Sequence, residues 1–72
     1  MKRDGLPDRL ETLSSLLESC NEGLADICTD LLHDALNGDA AAQRIEREIQ
    51  KARRSVAKAE HVLREISSQR SD

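Results

Sequence analysis

The side chains with the widest chemical range in this chain are Cys20, Cys28, His33 and His61. With them goes a ladder of carboxylates, Glu18, Glu22, Asp26 and Asp30, set four residues apart. Thiolate and imidazole could together hold zinc or form a nucleophile and base, but either role needs the groups to converge. On one helix His33 falls off the face that carries Cys28, and His61 sits on an outer face in the other half of the chain. The two cysteines are eight residues apart. A helix holds such a pair roughly 12 Å apart along its axis, beyond the about 7 Å between Cα atoms that a disulfide tolerates. Free thiols are expected. The chain also has no Gly-rich phosphate loop, nucleophile elbow or His/carboxylate metal motif. The expectation is a protein that is not an enzyme and holds no metal or cofactor.

What remains is the scaffold that carries these residues. The 72 residues include no Phe, Tyr or Trp, and 35% are charged, a composition of long helices rather than of sheets. Leu10, Leu13, Leu17, Cys20, Leu24, Ile27 and Leu31 step by three and four, the spacing of a heptad seam. Ala42, Ile45, Ile49, Ala52, Val56, Ala59, Leu63 and Ile66 continue it in the second half. Between the halves, "ALNGDAAAQ" offers Asn37-Gly38 to end one helix and Asp39 to cap the next. Asp8 with Glu11 resembles a capping box for the first helix. If the chain folds back at Asn37–Asp39, facing seam positions should have a constant sum. Leu31 with Ile45, Ile27 with Ile49, Leu24 with Ala52, Cys20 with Val56, Leu17 with Ala59, Leu13 with Leu63 and Leu10 with Ile66 all give 76. The fold expected is all-α, an antiparallel two-helix hairpin of coiled-coil type. Helix 1 should cover about 8–36 and helix 2 about 39–68, with flexible ends at 1–7 and 69–72. In this register Ile27 and Ile49 share a central, buried layer.

Such a hairpin buries one seam per helix, which leaves stability marginal at this size. A partner is expected to cover the rest. Leu16 and Val62 fall on one flank and should touch, with Gly23 and Ser55 forming a notch beside them. Cys28, Leu32, Ala35 and Leu36 make a second apolar stripe near the turn, a docking face or an aggregation liability if exposed. Leu16, Gly23, Cys28, Leu32, Ala35, Leu36 and Val62 are therefore the expected partner-binding residues. Residues 8–39 hold eight acids and one base, whereas 40–70 hold eight bases and four acids. Arg44, Arg47, Lys51, Arg54 and Lys58 form a basic stripe opposite the core of helix 2. Such a stripe reads as a solvated face or a charged docking stripe. The net charge of −3 argues against a non-specific nucleic-acid binder. No apolar run is long enough for a membrane span and no secretory segment follows the first residues, so a cytoplasmic protein is expected.

The stretch "NGDAAAQRIEREIQKARRSVAKAEHVL" resembles the second half of the type III secretion needle co-chaperone family (the YscE/PscE type), with Gly38, Asp39, Ala40 and Gln43 the best matches. It departs from that family in carrying Ala42 where an aromatic often precedes the Gln. The resemblance implies a helical hairpin in the cytoplasm that, with a larger helical chaperone, keeps the needle subunit soluble before export. "LADICTDLLHDA" is similar to part of the plasmid RNA-regulating Rop family, a dimer of hairpins, but there the stretch opens the second helix and here it ends the first. That likeness implies a homodimeric four-helix bundle as the alternative, an adaptor or RNA regulator. No site is carried over from it.

Overall fold

The computed structural model describes residues 5–69, two helices and the turn between them. Helix α1 runs Leu6–Leu36 and α2 runs Ala40–Gln69, 31 and 30 residues long. They pack antiparallel as a hairpin. Of the flexible ends expected, residues 1–4 and 70–72 lie outside the described residues, while Leu6, Pro7 and Gln69 are helical. The expected capping box at Asp8 is not used. Gly5 caps α1 and Pro7 sits in its first turn, where the missing N–H of proline costs nothing.

The turn forms where its residue types demand. Gly38 has φ of +100°, a conformation that costs glycine little. Its amide donates to the Ala35 carbonyl (3.0 Å) and the Asp39 amide donates to that of Asp34 (3.1 Å), the two bonds of a Schellman ending. The Asp39 carboxylate then accepts from the Ala42 amide at 3.1 Å and starts α2.

The register differs from expectation by a rotation of both helices. Leu10, Leu17, Leu24 and Leu31 do line the seam, as do Ala42, Ile49, Val56 and Leu63, all buried or half-buried. The other half of each expected stripe does not. Leu13, Cys20 and Ile27 are exposed, and so are Ile45, Ala52, Ala59 and Ile66. Their places are taken by Ser14, Asn21, Cys28 and Ala35 on α1 and by Glu46, Arg53, Glu60 and Ser67 on α2. Ser14, Cys28 and Ala42 retain 1%, 3% and 2% of their exposure, whereas Leu13 keeps 49% and Ile27 45%. Two physical causes favour the rotation. Short side chains at 14, 28, 35 and 42 let the backbones approach. The polar residues beside them also bond across the seam: Arg53 Nε donates to Asn21 Oδ1 (2.8 Å), and Asn21 Nδ2 donates to the Arg53 carbonyl (3.2 Å).

The result is one helix layer thick, 55 × 17 × 14 Å, with a Cα radius of gyration of 16.6 Å. A globule of this length would have a radius near 11 Å.

Two substitutions check these assignments by thermal unfolding followed by circular dichroism. Asn21→Ala would stabilise a solvent-facing helix position, because alanine is the better helix former. In the seam it should instead cost about 1 kcal/mol, since Arg53 loses its acceptor. A rise in the midpoint would place Asn21 on the outside. Asp39→Ala should cost about 1 kcal/mol through the lost cap.

Candidate functional site: an open apolar face

Because the two helices run antiparallel, the residues flanking the seam sort into two lips, one on each side of the slab. One lip is polar and closed by its own bonds. Beyond the Asn21–Arg53 pair, Arg53 also donates to Gln50 Oε1 (3.3 Å), and Gln50 donates to the carboxylate of the buried Glu46 (2.9 Å). Further from the turn, Arg64 binds Glu60 (2.9 Å) and reaches Glu18 of α1 (3.7 Å). Arg64 is half exposed, so this pair adds little stability.

The other lip is apolar and open. Leu13, Cys20 and Ile27 line it from α1, and Ile45, Ala52, Ala59 and Ile66 from α2, every one exposed. Leu16 and Val62 extend it outward, at 61% and 42% exposure. Six of the eight exposed large apolar side chains of the described residues belong to this face: Leu13, Leu16, Ile27, Ile45, Val62 and Ile66. It is a continuous strip along the slab, narrowed at mid-length by Cys20, Ala52 and Ala59.

The expected partner-binding residues divide accordingly. Leu16 and Val62 stand on this face, but on columns roughly a third of a turn from the seam, so they mark its two outer edges and do not meet within the hairpin. Gly23 lies on the same edge as Leu16, exposed, and a Cβ there would meet nothing within 4 Å. The notch expected between Gly23 and Ser55 is therefore not closed inside one chain. Cys28 is the correction of most consequence. Expected on a docking stripe with Cys20 in the core, it is buried in the seam, and Cys20 is exposed instead. Ala35 is half-buried in the same seam. The stripe near the turn thus reduces to Leu32 and Leu36, exposed to 48% and 87% on the sides of α1 away from the open face. The same rotation brought Cys28 and Ala35 into the seam and turned Cys20 out of it.

Arg44, Arg47, Lys51, Arg54 and Lys58 are exposed along the back of α2, and Lys51 pairs with Glu48 in its own helix at 3.2 Å. Among the described residues no group of three or more His, Cys, Asp and Glu could hold a metal ion. His61 lies 3.5 Å from Glu65, one turn on. No helix among the described residues is long and apolar enough to cross a membrane.

Sequence reasoning assigned Leu13, Ile27, Ile45 and Ile66 to the hairpin core and so missed the larger face. A signal was present: beyond the two apolar columns one seam needs, Leu16 and Val62 extend the stripe on the same side of each helix. Set beside known proteins, this chain matches no family model, no curated protein and no solved structure.

Proposed function

We propose that this chain is a small protein-binding module that works through the open apolar face. One observation carries the reading: short and polar residues fill one side of the seam while Leu13, Leu16, Ile27, Ile45, Val62 and Ile66 share one exposed side. Surface leucines scattered singly would need no explanation, but an aligned strip spanning both helices marks an interaction surface. Asymmetry between the lips supports the same reading, because the polar lip, the Ser14 hydroxyl excepted, is tied by its own hydrogen bonds and the apolar lip leaves its surface to another molecule.

The resemblance to needle co-chaperones gives such a module one use: with a larger helical chaperone covering the face, the hairpin would help keep an export subunit soluble in the cytoplasm. A second use is an adaptor built as a bundle of hairpins. Segregated charge favours that second use, since a hairpin with an acidic and a basic helix complements itself. The basic stripe stands on the back of α2, outside the face, and contributes at its edge.

Binding of anilinonaphthalene sulfonate, which fluoresces on apolar surface, tests the reading together with helicity. Leu13→Ser with Ile66→Ser should keep most of the helix signal and reduce dye fluorescence of the dilute protein several-fold. Leu32→Ser with Leu36→Ser should leave the fluorescence nearly unchanged. The reverse ranking would assign binding to the stripe near the turn and sink the proposal.

A further inference from the structure

Resting on the open face as the binding surface, the charge pattern and the dimensions of the hairpin identify its occupant. We propose that a second copy of this chain covers it, related by a twofold axis parallel to the helices. Both turns then lie at the same end, and each α1 lies beside its partner's α2.

Area is the first support. The chain exposes 5586 Å², whereas a folded monomer of its mass exposes about 4,500 Å². The surplus of about 1,100 Å² is of the size a stable interface takes from each partner, roughly 800 Å². A slab 14 Å thick is also one layer of the two that a buried core requires. Stacking two slabs face to face supplies the other.

Charge selects the orientation. Residues 8–39 carry eight acids and one base, and 40–70 carry eight bases and four acids. Two face-to-face arrangements obey twofold symmetry. With the turns at opposite ends, α1 lies beside the partner's α1 and α2 beside the partner's α2, acid against acid and base against base. With the turns together, acidic and basic helices alternate around the bundle, which is the favourable order.

Three of the four edge layers agree. Counting from the turn at Asn37–Asp39, Leu16 comes level with the partner's Val62, and Gly23 with the partner's Ser55. Asp26 comes level with the partner's Lys51, while Asp30 comes level with the partner's Glu48 and has the partner's Arg44 within a turn. Apolar meets apolar, small meets small, and of the two acids Asp26 meets a base directly. In the opposed arrangement Leu13 would instead lie level with the partner's Asp30, and Val62 with the partner's Glu48. The orientation also accounts for Gly23. Inside the hairpin nothing approaches it within 4 Å, so the glycine relieves no crowding there. Opposite the partner's Ser55 it permits the close approach of two helices.

Sedimentation equilibrium with cysteine cross-linking tests this, using the full chain with Cys20→Ser. The expected mass is twice the 8.0 kDa of the chain. When Gly23→Cys protein and Ser55→Cys protein are mixed under mild oxidation, the mixed disulfide should form at least ten times faster than either self-disulfide. Faster self-coupling of the Ser55→Cys protein would establish the opposed orientation and overturn the proposal. A monomeric mass with dye binding that Leu13→Ser and Ile66→Ser abolish would overturn the second copy but leave the binding face standing. A monomer with no dye binding at all would remove both.

Discussion

Each helix here carries an apolar stripe two columns wide, and the hairpin seam takes in only one of them, closing on the polar column at its other side. Everything else in the hairpin follows from that mismatch. The shared central column, Leu10, Leu17, Leu24 and Leu31 against Ala42, Ile49, Val56 and Leu63, is half-buried or buried whichever way the pair turns. What the rotation decides is which of its neighbours joins it. Here the neighbour is the polar one, with short side chains at Ser14, Cys28 and Ala35 and a hydrogen-bonded clasp at Asn21 and Arg53. The clasp acts at mid-length and holds two donors and their acceptors between the helices. Leaving either partner unmatched in a part-buried seam costs more than the bond itself gains, so it disfavours rotation back.

A polar clasp beside an apolar column reduces stability and favours one geometry over its neighbours. In this chain it has a second effect. By occupying the inner lip it turns Leu13, Ile27, Ile45 and Ile66 outward, and a surface results that a lone hairpin cannot satisfy. Ser14 shows the same preference from the other side: the residue keeps 1% of its exposure, and its hydroxyl is buried with no hydrogen-bond partner among the described residues. Small size suits it to the seam better than its polarity does.

Much of the fold was legible in the residues. The heptad spacing placed both helices, and Asn37, Gly38 and Asp39 placed the turn through a left-handed glycine and a side-chain cap. The helix start was misread because Gly5 and Pro7 open α1 without any side-chain cap, and a capping-box pattern at Asp8 carried more apparent information. The seam was half legible. Hydrophobicity alone ranks Leu13 and Ile27 above Ser14 and Cys28, and the constant-sum test does not separate two registers that differ by a rotation of both helices together. Positions 14, 21 and 28 pair with 60, 53 and 46 just as regularly, each to a sum of 74. The bond between Asn21 and Arg53, formed across 32 residues of chain, and the short side chains at Ser14, Cys28 and Ala35 distinguish them. The candidate site inherited that ambiguity, which is why Leu16 and Val62 were placed on an exposed flank correctly and Cys28 was not.

The two cysteines report the rotation directly, since one lies on each lip of the seam: Cys20 exposed and Cys28 buried. The rate of alkylation at each thiol, resolved by mass spectrometry over a range of protein concentrations at which helicity is retained, is the most direct measurement. A rotated seam with a self-covering face predicts slow modification of Cys28 throughout, with Cys20 reacting fast in dilute protein and slowing as the concentration rises. Fast modification of Cys28 with Cys20 protected at every concentration would contradict it, because that is the pattern of the unrotated seam.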